Sequence, residues 1–241
     1  MKNWMKIDGH YSSEFGLKMA RLPLWPVATE TVDNIQLPGV PVEYDRHTGE
    51  YKDFDLTLNG YVTHNFNLQK LNNWITNAQI VTLSPQPQLY GIVRRITQII
   101  PKRVGTGAVL IPIPFTFQPF KHSVVNIPQV LINSPAHLHN FGNIYSEPVY
   151  KVSIDDGTIL ADLTINDVTF QIAAAALDTG TIVIDIPHKK IYKESTNGIR
   201  TIIQEYVAGQ FWNAVLQPGD NVISWGTGIS KIEVQMNERW L

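Results

Sequence analysis

Residues 231–236, Lys231-Ile232-Glu233-Val234-Gln235-Met236, alternate polar and apolar side chains without a break. Successive side chains of a β-strand leave opposite faces of the sheet. Ile232, Val234 and Met236 would therefore line a core while Lys231, Glu233 and Gln235 meet water. The period of two recurs upstream. Phe54, Leu56 and Leu58 alternate with Asp55, Thr57 and Asn59; Tyr150, Val152 and Ile154 with Val149, Lys151 and Ser153; Ile182, Ile184 and Ile186 with Thr181, Val183 and Asp185. Turn signals separate the runs: Asp156-Gly157, Asn197-Gly198, Pro218-Gly219 and the pair Gly226 and Gly228. Short alternating strands with this punctuation make antiparallel sandwiches or barrels.

One segment follows the helical period. Leu68, Leu71 and Ile75 fall at i, i+3 and i+7 with Trp74 beside them. Asn67 is placed to cap the first turn, and Asn77 to close the last by visiting the left-handed region. A short amphipathic helix over 67–77 should lie across a sheet. In Ile111-Pro112-Ile113-Pro114-Phe115-Thr116-Phe117 every odd position is apolar, and Pro112 and Pro114 lose their amides on the same side. That pattern predicts an edge strand with one side blocked. The stretch from Pro119 to Pro148 holds four prolines and no sustained period, and reads as a domain boundary. The expectation is mostly β, with an N-terminal domain over residues 1–121 that holds the one helix. A C-terminal β-sandwich follows over residues 122–241.

Composition narrows the function. Nineteen Lys and Arg stand against 21 Asp and Glu, a balance that gives no motive for nucleic-acid or anionic-membrane binding. With no cysteine there is no disulfide, thiolate nucleophile or cysteine-bound metal. Charged residues are 17% and hydrophobic ones 44%, which favours a buried core over disorder. No window approaches the roughly 18 apolar residues of a membrane span. The start, Met1-Lys2-Asn3-Trp4-Met5-Lys6, reaches Asp8 and His10 before any signal-peptide run, so a chain that starts out soluble in the cytoplasm is expected.

Five features invite a chemical reading. His137-Leu138-His139 would set two imidazoles on one strand face, but further ligands are lacking and the proline-rich setting reads as loop. Gly105-Thr106-Gly107 and Gly226-Thr227-Gly228 precede strands, not helices, and read as hairpin turns instead of phosphate loops. Asp155-Asp156 before Gly157 is a turn, not a carboxylate pair. Trp25, Trp74, Trp212, Trp225 and Trp240 invite a sugar-stacking reading, yet Trp74 falls on the helix's apolar face and Trp212 beside Phe211 packs inward. Arg94-Arg95 is too small for a nucleic-acid footprint. No catalytic, cofactor or metal residue is assigned.

Ile7-Asp8-Gly9-His10-Tyr11-Ser12-Ser13-Glu14-Phe15-Gly16-Leu17 resembles the first hairpin of the distal tail proteins (Dit) of long, non-contractile-tailed phages of Gram-positive bacteria. Leu37-Pro38-Gly39 is similar to that family's extended hairpin, and Asn67 to Asn77 to its single helix. Asn140-Phe141-Gly142-Asn143-Ile144-Tyr145-Ser146-Glu147-Pro148 resembles the opening of its C-terminal sandwich, and Ile184-Asp185 with Asn197-Gly198 its central hairpin. Leu216-Gln217-Pro218-Gly219-Asp220-Asn221-Val222-Ile223 and Glu238-Arg239-Trp240-Leu241 complete the likeness over nearly the whole chain. One departure is clear. The family often follows Pro-Gly with a charged, glycine-bearing turn, where this chain has Val40-Pro41-Val42-Glu43-Tyr44.

The resemblance implies a structural protein of the virion tail tip. It implies a sandwich-like N-terminal ring domain with one α-helix and an extended hairpin arm, followed by a galectin-like β-sandwich. It further implies a homo-hexameric ring that joins the tail tube protein to a tail-associated lysin or tip protein, with receptor-binding protein docked on the outer domain. No nucleic acid, membrane or cofactor belongs to that picture. A head-to-tail ring needs two different complementary patches. The irregular arm from Thr29 to Lys52 is placed to supply one, through Val40, Val42, Tyr44 and Tyr51. The alternative is a carbohydrate-binding lectin-like sandwich that recognises cell-wall sugar; a glycan-degrading enzyme would further need two carboxylates facing across a cleft.

Overall fold

In the computed structural model the alternating runs form antiparallel sheets, described over residues 3–36, 38, 42–63, 66–105, 107–155, 157–173, 181–195 and 197–241. The chain divides into two units, residues 1–124 together with Leu241, and residues 125–240. The first carries β1 (Met5–Ile7), β2 (His10–Tyr11), β3 (Lys18–Met19), β4 (Glu30–Gln36), β5 (Glu43–Tyr51) and β6 (Phe54–Thr63). After these come α1 (Leu68–Thr76), β7 (Ile80–Leu83), β8 (Leu89–Ile96), β9 (Lys102–Val104) and β10 (Ala108–Ser123). Its main sheet runs β2-β1-β7-β8-β10-β6-β3, and β9 also pairs with β10. β4 and β5 form a separate two-stranded hairpin.

β6 has the wet and dry faces its sequence implies: Leu58 and Val62 are buried, Asp55, Thr57 and Asn59 exposed. α1 begins where Asn67 accepts the Lys70 amide on Oδ1 at 2.9 Å. Leu71 and Ile75 are buried, and Trp74 stacks on Phe15 with ring centres 4.3 Å apart. The helix ends differently from the expectation. Asn77 has φ −92°, not a left-handed value, and its Nδ2 donates to the Asn73 carbonyl at 2.9 Å. The side chain thus satisfies a terminal carbonyl that the left-handed turn would otherwise have covered.

The proline strand is the larger correction. Residues 111–117 lie inside β10, which is central and not an edge. Along Ala108–Phe117 it pairs with β6. On its other side it pairs with β9 only up to Leu110 and with β8 only from Phe115 onward. Pro112 and Pro114 fall in the gap between those two partners, so their missing amides leave no ladder bond unmade. Ile111, Ile113, Phe115 and Phe117 are all buried.

The second unit is a two-sheet sandwich. It contains β11 (Gln129–Leu131), β12 (Ala136–Asn140), β13 (Val149–Ile154), β14 (Leu160–Ile165), β15 (Val168–Ala173) and β16 (Thr181–Asp185). These are followed by β17 (Lys190–Glu194), β18 (Arg200–Ile202), β19 (Val207–Ala208), β20 (Gly219–Trp225) and β21 (Ile229–Gln235). One sheet runs β11-β21-β13-β16-β17-β18, the other β12-β20-β14-β15-β19. The inner faces meet in a core that includes Tyr150, Val152, Leu163, Phe170, Ile184, Ile223, Ile232 and Val234. The proline-rich stretch 119–148 is not irregular throughout: it supplies β11 and β12, one strand to each sheet, and His137-Leu138-His139 is strand instead of loop.

Polar staples fix the end of the sandwich. Buried Asn140 donates through Nδ2 to the Leu216 carbonyl at 3.1 Å and accepts the Gly142 amide at 3.0 Å. Buried Asn221 accepts from the Gln217 amide at 2.7 Å and donates to the Gln217 and Gly219 carbonyls at 2.8 and 2.9 Å. Arg239 donates to the Tyr145 carbonyl through Nε and Nη2 and to Glu147 through Nη1. A Cβ at Gly142 would collide with the Arg239 carbonyl, so only glycine fits there. Tyr150, fully buried, donates its hydroxyl to the Ala214 carbonyl at 3.0 Å, and burial pushes its pKa well up.

Val234 lies opposite Tyr150 and Gln129 in this core. Val234→Asp should cost several kcal/mol, because the carboxylate would be buried without a partner. Glu233→Gln next door removes a half-exposed ion pair with Lys231 and should cost less than about 1 kcal/mol. Urea denaturation followed by far-UV circular dichroism measures both; equal losses would place Val234 outside the core.

Candidate assembly surface

Among the described residues no three His, Asp or Glu side chains are grouped so as to hold one metal ion. His137 and His139 share the exposed face of β12, and His139 is paired with Asp220 at 2.6 Å. Gly226 and Gly228 sit in the β20–β21 turn, and Asp155 in a turn where its carbonyl accepts the Thr158 hydroxyl at 2.8 Å. Arg94 and Arg95 of β8 face Asp53 and the Thr116 hydroxyl. Trp25 is buried; Trp225 donates its indole N–H to the Ile229 carbonyl at 3.0 Å within its own hairpin. Trp212 is exposed, not packed inward as its place beside Phe211 suggested, with the two rings meeting edge-on at 5.3 Å.

The distinctive exposed feature is the β4–β5 hairpin. Its register sets Ile35 opposite Tyr44 and Asp33 opposite Arg46. Residues two apart in a strand share a face, so Ile35 and Tyr44 stand together, with Val42 two residues before Tyr44. Ile35 is 40% exposed, Val42 58% and Tyr44 52%. From Tyr51 to Tyr44 the arm extends about 24 Å at the usual strand rise. Val40 lies outside the described residues. Tyr51 stands at the root, where its ring meets Phe120 edge-on at 5.5 Å.

The root is built by the end of β10 and by the strap that precedes β4. Trp25 in that strap packs on Phe117 and Phe54 at 5.0 and 6.4 Å, and its amide donates to Gln86 at 2.8 Å. A Cβ at Gly91 would come within 2.9 Å of the Trp25 ring, so β8 needs glycine beneath it. Beside Gly91 in register is Lys121, a buried lysine whose Nζ donates to the Pro26 carbonyl at 2.8 Å. Burial pulls its pKa down from 10.5 to about 8. Across the root, His47 and the Gly49 amide both donate to Glu30, and these bonds hold its carboxyl below the usual range.

A groove of about 560 Å³ opens elsewhere in the same unit. The single-turn 3-10 helix Ser12–Phe15 carries the chain from β2, at one margin of the sheet, to β3 at the other. Buried Ser12 accepts the Leu17 amide on its carbonyl at 3.0 Å. Between the margins lie Trp4, Tyr11, Ser13, Leu17, Lys18 and Tyr61. Trp4 and Tyr11 meet edge-on at 5.3 Å, and Tyr11 and Tyr61 remain 41% and 39% exposed. Sequence reasoning does not find this groove, because only the closing of the sheet unites residues 4, 11, 18 and 61.

Compared with known proteins, the chain matches no family model and no curated protein. Among solved structures it is similar to the Dit protein (gp 19.1) of phage SPP1, described as a paradigm of the hub adsorption apparatus in phages infecting Gram-positive bacteria. The TM-score is 0.77 over 100% of both chains, at 14% sequence identity. The chain therefore has the fold of a phage distal tail protein.

Lys121 makes the arm's root pH-sensitive in a defined direction. Its pKa is about 8 when folded, against the usual 10.5 when unfolded. Between these values the unfolded chain keeps a proton that the folded chain has released. The site's contribution to stability is therefore flat below about pH 8 and rises as pH climbs toward 10.5. Measured by urea denaturation, the stability of the native chain relative to Lys121→Met should improve across that window by about 1–3 kcal/mol. A difference that does not change with pH would show that Lys121 is not held in a desolvated site.

Proposed function

We propose that the chain is a structural subunit of a phage tail tip, with no catalytic role of its own. The N-terminal units of six copies join head to tail into a closed ring at the end of the tail tube. The ring passes the tube on to a tail-associated lysin or tip protein, and the C-terminal sandwich offers a dock for receptor-binding protein. The observation that carries this reading is the correspondence of fold with the SPP1 protein over the full length of both chains. The exposed β4–β5 arm supports it independently. An isolated two-stranded hairpin is marginal in water, and an apolar face left on one calls for a partner.

In this reading Val40, Val42, Tyr44 and Tyr51 belong to the subunit contact, each contributing roughly 1–3 kcal/mol by buried area. Native mass spectrometry and negative-stain electron microscopy over a concentration series should find six-membered rings. Replacing Thr31 to Glu50 by a short Gly/Ser linker should leave a folded, β-rich monomer that fails to cap tail tubes. A strict monomer at every concentration, with no rings on a tail-tube partner, would sink the reading. Rings that persist without the arm would move the contact to the domain bodies and withdraw those four residues.

A further inference from the structure

We propose that the groove between β2 and β3 is the receptor for the arm of a second copy of this chain. In that contact Ile35, Val42 and Tyr44 of one copy seat against Trp4, Tyr11 and Tyr61 of the next. The proposal rests on the ring reading above and adds the surface that the arm meets.

A head-to-tail contact needs two unlike patches on one chain, and both are present on the first unit. The arm presents an aliphatic and aromatic face that its own unit leaves exposed. The groove presents exposed Tyr11 and Tyr61 beside half-buried Trp4, residue types that dominate the energetics of protein contacts. Its volume of about 560 Å³ lies in the range that encloses a drug-sized ligand, room for two or three side chains.

Charge selects the same match. Over Glu30–Tyr51 the sequence holds five carboxylates and a single arginine. At the groove the acids are already engaged. Asp8 accepts the Gln79 and Ile80 amides, and Glu14 accepts the Tyr11 amide and pairs with His10. Lys18 lines the groove and Lys6 lies over the Tyr11 ring at 5.5 Å; neither has a carboxylate partner among the described residues. An acidic arm entering a seam whose two lysines have no carboxylate partner among the described residues is steered toward it and gains complementary charge on arrival.

The absence of cysteine allows a clean test in the full-length chain. Asp33→Cys places a thiol on the arm, and Ser13→Cys places one on the groove's rim; both residues are exposed. Gln36→Cys with Asn3→Cys is a second such pair. The two variants of a pair are mixed, checked for assembly by native mass spectrometry, and treated with a short bis-maleimide. The mixture should yield a cross-linked dimer whose peptides join the arm of one variant to the rim of the other. Tyr44→Ala in the arm variant should weaken self-association roughly tenfold or more. Rings that form without arm-to-rim cross-links in either pair would overturn the receptor assignment and leave the ring reading standing. Failure of the unsubstituted chain to assemble at any concentration would overturn the ring reading, and this proposal with it.

Discussion

The first unit depends on the pairing of one strand. β10 runs for 16 residues and gives one side to β6 and the other to β9 and then β8. Its buried Ile111, Ile113, Phe115 and Phe117 each remove apolar surface worth about 1.5–3 kcal/mol. Beyond the core, Phe120 and Lys121 of the same strand hold Tyr51 and Pro26, the two flanks of the arm's root. One strand thus serves both the core and the arm's root, with a register shift against β8 between Phe117 and Lys121 separating the two stretches. The lysine is an expensive way to hold a strap, since among the described residues its desolvated ammonium meets one carbonyl and the Phe54 ring 6.0 Å away. Its retention is intelligible where geometry at the root matters more than stability.

Much of the fold is legible because alternation is a local signal. β6, β13, β16 and β21 are readable from their own residues, and so is α1 with its Asn67 cap. The proline strand shows where local reading fails. The parity argument about Pro112 and Pro114 is sound, since both amides are absent on one side. The step from there to an edge strand assumes that a strand has one partner per side along its whole length. β10 changes partners instead, and the prolines occupy the change. In the same way, prolines between Pro119 and Pro148 punctuate the chain around β11 and β12, each too short to show a period. The arm's exposed face is visible in sequence as apolar residues without a period. Its groove is not, because Tyr61 is separated from Trp4 by most of the first sheet.

The second unit explains how a low identity can accompany the same fold. Any apolar residue satisfies an inward position of a sandwich, so core strands constrain sequence weakly. The staples do not have that freedom. Asn140 must both donate and accept, Gly142 must admit the Arg239 backbone, and Arg239 must reach two acceptors at once. Buried polar groups left without partners cost about 1–3 kcal/mol each, so such positions tolerate few replacements. Three of the motifs that carry the resemblance, 140–148, 216–223 and 238–241, supply these staples.

A projecting hairpin is also a hazard, because its free edges can pair with any exposed strand. The arm counters this with charge: Asp33, Asp45 and Glu50 disfavour edge-to-edge stacking of one arm on another. Under the proposed contact, the angle at which successive copies meet is set where the arm leaves the body. The tip supplies affinity, but the root supplies direction. A head-to-tail chain closes only if each step turns by the same fraction of a circle; otherwise it continues as a filament. In the proposed ring, rigidity at Trp25, Tyr51, Phe120 and Lys121 would be what separates closure from an open polymer. A strap held by ring packing and a buried lysine meets that demand better than one held by surface ion pairs, which salt screens and side-chain entropy loosens.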